Sequence, residues 1–300
     1  EIPHGRPTGM TGFVMNTRHG VFADWRVRAA MIHAFNFEYI NETMTGSRQP
    51  RITSYFSNSD LAMSDGPAEG RVRELLAPFA DDLLPGALEG YALPEGDGSA
   101  RNRRNIRAAM GLMEEAGWTV QDGVMKNAEG RPFSFEIVLG QGAGEEQSII
   151  DIYVQALQRM GIAPRVTVID SAQYNERVNR FDFDMTFFRR GISLSPGNEQ
   201  RLYWGSEAAT QEGSRNLMGM QSPAADAMID TLLNATSRED FVAASRALDR
   251  VLTTGRYVIP IYQWNLSRIA HAKELTFSET TPVYGDWTDW MPNAWWWQEP

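Results

Sequence analysis

The stretch from Asp182 to Trp204 carries many of the side chains in this chain that could do chemistry. It begins as an alternating strand and ends as a polar loop that contains Arg189, Arg190, Ser193, Ser195, Asn198 and Glu199. Guanidinium, hydroxyl and amide groups at the end of a buried strand are suited to holding a ligand by hydrogen bonds. Nothing nearby resembles a nucleophile with its base. The stretch therefore predicts ligand binding rather than catalysis.

Two arginines and three aromatic residues are the candidates for direct contact with a ligand. On a strand, Arg189 and Arg190 point to opposite faces, so at most one of them can serve a cleft. An arginine at a strand exit can bind a carboxylate or phosphate through two parallel hydrogen bonds, although a salt bridge between segments is an equal alternative. Trp204, Tyr262 and Trp264 could form apolar walls, and core packing is the alternative for each of them.

Three carboxylates suggest an alternative function, hydrolysis. Asp182 and Asp184 lie two residues apart on the predicted strand and project from one face, and Glu199 follows in the loop. If these groups converged within about 5–10 Å around a pocket, they could serve a small amide or glycoside hydrolase. The alternation of Asp with Phe favours the other interpretation, in which the carboxylates line a solvated face and the phenylalanines enter the core.

Patterns typical of cofactor and metal sites are incomplete in this sequence. Gly140–Gly144 follows a predicted strand and precedes a predicted helix, but Glu145 occupies the place of the third glycine of a dinucleotide-binding turn. An acidic residue there would repel a phosphate. The four histidines have no ligand-like spacing, and the chain has no cysteine. We therefore expect no cofactor and no bound metal.

Composition sets further limits. A chain of 300 residues with 42% hydrophobic and 22% charged residues is typical of a globular protein with a sizeable core. The net charge of −10 argues against nucleic-acid binding, because phosphate binding needs clustered cations. No stretch has the roughly 18 apolar residues of a membrane span. The first residues, Glu-Ile-Pro-His, show no signal-peptide pattern. They also lack an initiator Met, so we expect a processed chain or a fragment.

Hydrophobic periodicity places the elements that must position these side chains. Strands are predicted at 11–16, 133–139, 165–169, 182–188 and 257–262, and helices at 24–35, 71–79, 106–117, 149–161, 172–180, 222–234 and 238–254. Asp24 and Ser222 are the predicted N-caps of two of these helices. The alternation of helix and strand from 106 to 188 predicts an α/β sandwich with a substantially parallel sheet.

An ordered series of short motifs resembles the family 5 extracellular solute-binding proteins of ABC importers. The series consists of Asp24-Trp-Arg-Val-Arg-Ala-Ala-Met, Glu114-Glu-Ala-Gly-Trp, Asp122-Gly, Gly130-Arg-Pro-Phe, Gln158-Arg-Met-Gly-Ile, Tyr174, Phe181-Asp-Phe-Asp and Ser222-Pro. Together the motifs cover nearly all of the chain. The loop Ser193–Gln200 is most similar to that of the oligopeptide and microcin C branch.

The resemblance implies an α/β fold, a lobe of the type II periplasmic-binding-protein kind with a mixed sheet flanked by helices. Family members are longer, with a first lobe that precedes and follows the part seen here, so we expect a C-terminal half. Residues 1–16 would be a hinge strand leading from the missing first lobe. Residues 17–258 would be the C-terminal substrate-binding lobe, and 259–300 a return segment that packs toward the first lobe.

The resemblance also implies a function, which is the capture of a peptide or peptide-like solute by hinge closure in the periplasm. Such a protein is not an enzyme but the substrate-binding component of an ABC importer. The implied partners are the solute and an ABC permease, with no nucleic acid and with contact to the membrane only through the permease. We expect a monomer. Nickel, haem or a sugar are further ligands for this scaffold, and metal is the least expected of them.

One departure from the family pattern bears on the ligand. Peptide-binding members place an Asp, which pairs with the amino terminus of the peptide, after the strand that corresponds to 182–188. Ser193 stands at that position here. We therefore expect a ligand with carboxylate, phosphate or blocked-terminus chemistry. The residues expected to bind it are Arg189, Arg190 and Asn198 for polar contacts, Ser193 and Ser195 for hydroxyls, and Trp204, Tyr262 and Trp264 for apolar walls.

Overall fold

The computed structural model describes residues 1–263, 266–286, 290–291 and 293–298. Its strands are β1 (Ile2–Pro3), β2 (Met10–Met15), β3 (Thr119–Gln121), β4 (Val124–Lys126), β5 (Glu136–Gly140), β6 (Arg165–Ile169), β7 (Met185–Arg190), β8 (Val258–Pro260), β9 (Leu266–Ser267), β10 (Leu275–Phe277) and β11 (Trp295–Trp297). Its α-helices are α1 (Trp25–Ala34), α2 (Phe37–Thr45), α3 (Gly70–Leu76), α4 (Arg103–Glu115), α5 (Gly144–Gln158), α6 (Ser171–Asn179), α7 (Glu199–Trp204), α8 (Pro223–Leu233) and α9 (Arg238–Thr254). Short 3-10 helices occupy Gly20–Phe22, Ala77–Phe79 and Glu207–Thr210. Within these ranges, no helix has the length and apolar character that a membrane crossing requires.

A mixed sheet of five strands forms the centre of the fold, in the order β6-β5-β7-β2-β8. β5 runs parallel to β6 and β7, whereas β2 runs antiparallel to β7 and β8. The carboxyl ends of β5, β6, β7 and β8 therefore meet at one edge, where β2 begins. Such an edge is the usual position of a ligand site in an open α/β sheet. The predicted α/β class, with a mixed sheet flanked by helices, is confirmed.

Helices cover both faces of the sheet, so the sheet separates two hydrophobic cores. Successive strand residues point to opposite faces, and β2 shows this alternation. Phe13 and Met15 enter a core that includes residues of α1, α4 and α5, whereas Met10 and Val14 enter a core that includes residues of α8 and α9. The central strands are apolar on both faces because both faces are buried.

Capping signals in the sequence correctly mark two helix starts. The side chain of Asp24 accepts a hydrogen bond from the backbone N–H of Arg26, and that of Ser222 accepts one from Ala225. The helix predicted at 238–254 and the strand predicted at 165–169 have the predicted bounds. At the β3–β4 hairpin, Asp122 and Gly123 both have positive φ, 52° and 79°, as a tight two-residue hairpin turn requires.

Two predictions around β7 are wrong. The strand begins at Met185 rather than Asp182, because Phe181 has a φ of 57° and the chain turns there. The buried Asn16 side chain holds this turn, since its amide donates to the carbonyls of Phe181 and Phe183, each at 2.9 Å. Farther on, residues 199–204 form helix α7, where the sequence predicted a polar loop.

Candidate functional site

A cavity of about 440 Å³ lies at the edge of the sheet where β7 and β8 end and β2 begins. Its walls come from five parts of the chain: residues 4–11, the first turns of α5, the end of β7 with the residue after it, the segment after β8, and β9. Apolar surface comes from Ile149, Phe187 and Ile261, and charged groups come from Arg6, Glu145, Glu146, Arg189 and Arg190. A concave site with an apolar lining and a few convergent polar groups is typical of small-ligand binding.

The backbone around the cavity is tightly fixed. Thr11 pairs with Arg189 across β2 and β7, and the carbonyl of Thr11 accepts a hydrogen bond of 3.0 Å from the N–H of Ile261. Gly9 allows the entry to β2 to approach β7, because a Cβ at this position would lie 2.0 Å from the carbonyl oxygen of Arg190. Its φ of 62° also favours glycine. Backbone pairing therefore sets the position of the cavity walls on this side.

Arg189 and Arg190 differ in their surroundings, as expected for neighbours on a strand. Arg189 is exposed at the cavity, and its side chain has no hydrogen bond or ion pair to any residue that the structure describes. Arg190 lies over the ring of Tyr203, at 4.5 Å from the ring centroid, and burial lowers its pKa. Its Nε is buried without a hydrogen-bond partner among the described residues. Arg189 is the cation that is free to meet a ligand.

Tyr262 and Glu145 form a hydrogen-bonded pair on the cavity wall. Tyr262 is 4% exposed, and its hydroxyl donates to Glu145 Oε1. Burial is the main cause that raises the pKa of Tyr262 above its ordinary value, and the hydrogen bond to the Glu145 carboxylate raises it further. Glu146, the next residue of α5, also lines the cavity, and its side chain has no hydrogen bond or ion pair to the part of the chain that is described. On another wall, Arg6 pairs with Asp286 at 3.3 Å.

The serines, Asn198 and Trp204 lie outside the cavity lining. The Ser193 hydroxyl accepts a hydrogen bond of 3.1 Å from the N–H of Ser195, so it stabilises the turn after β7. Asn198 is exposed and lines a separate depression together with Arg201 and Asp226. Trp204 is fully buried, and its indole N–H donates to Gln200 at 2.7 Å. Trp204 is therefore core rather than cavity wall.

Of the predicted site residues, Arg189, Arg190 and Tyr262 line the cavity. The prediction for Trp264 lies outside the described residues. Sequence patterns did not indicate that Arg6, Glu145 and Glu146 line the cavity. For Glu145 and Glu146 the sequence did contain a signal, since both residues follow β5, which is parallel to β7. The loop after a parallel strand reaches the same sheet edge as the end of its neighbour.

The three carboxylates considered for hydrolysis do not converge. The exposed Asp182 pairs with Arg177 at 3.0 Å. Asp184 contacts His19 Nδ1 at 2.8 Å and accepts a hydrogen bond from the N–H of Glu136. Both residues precede β7, so six residues of roughly 3.3 Å each place Asp184 about 20 Å from Arg190. Glu199 follows β7 instead and accepts a hydrogen bond from the N–H of Gly197. In the described ranges, no group of three or more His, Asp or Glu residues could hold a metal ion.

Comparison with known proteins connects this arrangement to a family. A model of the bacterial extracellular solute-binding proteins, family 5, middle region, matches residues 2–212. The chain is 39% identical over 289 residues to the Probable peptide-binding protein YejA of Agrobacterium fabrum (strain C58), covering 96% of the chain and 46% of that relative. It is 37% identical over 291 residues to the Peptidoglycan-binding protein YepA of the same strain, covering 97% of the chain and 46% of the relative. The chain thus spans about half the length of these relatives.

A solved structure shares the fold. The oligopeptide-binding protein AppA from Bacillus subtilis, solved in complex with a nonapeptide, superposes with a TM-score of 0.70 at 16% sequence identity. The match covers 100% of this chain and 52% of AppA. At this identity the likeness concerns the fold, and the α/β architecture with its central mixed sheet is common to both proteins.

Proposed function

The chain belongs to the bacterial extracellular solute-binding proteins of family 5, whose members are transport components rather than enzymes, and we propose that it binds a peptide or peptide-like solute for an ABC permease. The proposed location is the periplasm. The proposed site is the cavity at the carboxyl ends of β7 and β8. The observation that carries the proposal is Arg189, an exposed cation on a cavity wall without a partner among the described residues.

The chemistry of the cavity suits a solute of this class. A guanidinium can bind a carboxylate through two parallel hydrogen bonds, and such charge-assisted bonds are stronger than neutral ones. Phe187, Ile149 and Ile261 offer apolar surface for the rest of the solute. Two relatives with 39% and 37% identity are named as peptide-binding and peptidoglycan-binding proteins. These names support a peptide or a peptide-bearing fragment as the solute. Within the family, we propose the oligopeptide and microcin C branch, which the loop Ser193–Gln200 most resembles.

The domain arrangement is also a proposal. Residues 1–16 would enter from a first lobe, 17–258 would form the substrate-binding lobe, and 259–300 would return toward the first lobe. In support, Ile2 pairs with Ser267 where β1 and β9 run antiparallel, and the cavity is lined by β9 and by His4, which follows β1. Two chain segments side by side can serve as a hinge. A ligand that contacts both lobes would then favour the closed state by its extra contacts there.

Native mass spectrometry of the full-length protein, purified from its own cells without refolding, tests the function. We expect a bound species whose mass and fragmentation are those of a peptide or peptide-bearing molecule. A protein that carries only a metal ion, haem or a free sugar would overturn the proposed solute class.

A pair of variants then tests the site. Arg189→Gln removes the exposed cation, and a hydrogen bond to a charged group is worth about 1.5–3 kcal/mol, so affinity should fall at least about tenfold. Arg107→Gln is the matched control, because Arg107 is exposed on α4 and does not line the cavity. Equal affinities for Arg189→Gln and Arg107→Gln would place the site elsewhere.

A further inference from the structure

We propose that Tyr284 is a positioning residue, which ties the loop after β7 to the two segments that would connect the lobes. The loop consists of residues 191–196, and the connecting segments are residues 1–16 and 259–300. Because of this tie, closure of the lobes and retention of the solute depend on each other. The inference rests on the proposed function and concerns the regulation of the same site.

The loop after β7 has few backbone hydrogen bonds to the rest of the protein. The N–H of Leu194 donates to the hydroxyl oxygen of Tyr284 at 2.8 Å. Among the described residues, Tyr284 is the only hydrogen-bond partner outside the loop for a backbone N–H of 191–196. A segment with so few hydrogen bonds opens at a low cost in free energy. The loss of one bond should therefore have a large effect on this loop.

Tyr284 lies in a turn that is fixed against the first residues of the chain. The N–H of Gly285 closes this turn by donating to the carbonyl of Pro282 at 2.8 Å. The N–H of Gly5 donates to the carbonyl of Val283 at 2.7 Å. The turn therefore joins the two connecting segments to each other, and Tyr284 extends this junction to the loop after β7.

An ion pair strengthens the same junction. Arg6 pairs with Asp286 at 3.3 Å and donates to the hydroxyl of Ser267 at 3.1 Å, and that hydroxyl donates to Asp286. The side chains of Arg6 and Asp286 are 19% and 26% exposed, so salt screens this pair less than a fully exposed one. Asp286 follows Tyr284 by two residues. A movement of the ion pair is therefore passed to Tyr284 and from there to Leu194.

The tie reaches the wall of the cavity. Arg189, Arg190 and Gly191 line the cavity directly before the rest of the loop. A bond at Leu194 therefore limits the movement of this wall. Hinge closure moves the connecting segments, so the tie lets closure hold the wall against a solute. By reciprocity, a bound solute favours the closed state by the same free energy.

A double-mutant cycle on the full-length protein tests the connection. Tyr284→Phe removes only the hydroxyl. Hydrogen–deuterium exchange of segment 191–196 should become about two- to tenfold faster, as the loss of one neutral hydrogen bond predicts. Asp286→Ala removes the ion pair with Arg6 and should also speed this exchange. In the double variant, exchange should be no faster than in Tyr284→Phe alone, because the tie is already lost.

The rate at which bound peptides leave is the functional measurement. Each full-length protein is loaded with a synthetic library of short peptides of mixed sequence, and native mass spectrometry follows their loss after dilution. Tyr284→Phe should release peptides about two- to tenfold faster, with the urea midpoint of the wild type. Tyr39→Phe is the matched control, because Tyr39 lies on α2, outside the cavity lining. It should release peptides at the wild-type rate.

The possible results separate the inference from the proposed function. Unchanged exchange of 191–196 in Tyr284→Phe, or an effect of Asp286→Ala that persists in the double variant, would overturn the connection. A lower urea midpoint in Tyr284→Phe would indicate general destabilisation and overturn the positioning role. Faster exchange with an unchanged release rate would overturn the coupling to solute retention and leave the proposed function standing. A wild type that binds no peptide would count against the proposed function itself, and the exchange cycle would still decide whether Tyr284 makes the connection.

Discussion

Asp249 provides a test of the scaffold that supports the cavity. It is fully buried on α9, and its carboxylate accepts hydrogen bonds from the N–H groups of Tyr55, Phe56 and Met63. The loop that it fixes in turn holds the N-terminal wall of the cavity, since Asn58 donates to the carbonyl of Arg6 at 2.8 Å. Burial raises the pKa of Asp249 from 3.8 to about 6, although the amide donors oppose the shift.

The expected magnitude follows from linkage. A pKa that is about two units higher in the folded state corresponds to about 3 kcal/mol, at about 1.4 kcal/mol per unit. The folded state binds the proton more tightly, so this stabilisation is fully present below about pH 4 and is lost as the pH rises through about 6. Asp249→Asn has no titrating group there. The free energy of unfolding of the variant, minus that of the wild type, should therefore increase by about 3 kcal/mol between pH 4 and pH 7.

Urea denaturation of both proteins at several pH values between 4 and 7.5 measures this difference. Near pH 4 the variant should be less stable than the wild type, because its amide group turns a donor toward the N–H of Met63. Loss of one such acceptor costs about 1–3 kcal/mol. If the unfolding free energy of the variant minus that of the wild type decreased with rising pH, the reasoning would be refuted. Such a result would mean that the three amide donors lower the pKa of Asp249 by more than burial raises it.

Three further changes test other parts of the fold. Glu136→Gln removes one of the two carboxylate partners of Arg177, whose hydrogen bond lowers the pKa of Glu136. The variant should lose about 1–3 kcal/mol of unfolding free energy at pH 7, and its difference from the wild type should disappear as the pH falls below about 4. Arg28→Met leaves the carbonyls of Gly255, Phe22 and Ala23 without their donor, so urea denaturation should show a loss of about 2–4 kcal/mol. Ser222→Ala should cost about 1 kcal/mol through the lost N-cap of α8, and an unchanged urea midpoint would contradict that role.

Local rules predicted much of the fold because neighbouring residues determine those features. The caps at Asp24 and Ser222 and the bounds of α9 and β6 follow from side-chain chemistry and periodicity within a few residues. The start of β7 could not be predicted in this way. The turn at Phe181 depends on hydrogen bonds from Asn16, which lies 165 residues earlier in the sequence.

The site was harder to predict because the chain assembles it from distant segments. Arg189 and Tyr262 were accessible to sequence reasoning as residues at strand ends. Glu145 seemed only to exclude a phosphate loop, and its role on the wall depends on a contact with Tyr262 across 117 residues. For Trp204, residue type alone could not distinguish a ligand-facing ring from a buried one, and its contact with the Tyr55 ring, at 5.0 Å between centroids, places it in the core.

Hydrogen–deuterium exchange of the full-length protein, with its co-purified solute bound and then removed, tests the central claim most directly. If the solute occupies the cavity, binding should slow exchange in segments 143–149, 187–191 and 261–263, which line it. The core of α9 should exchange at the same rate in both states. Protection confined to the depression around Asn198 and Arg201, with no change in the three cavity segments, would contradict the account.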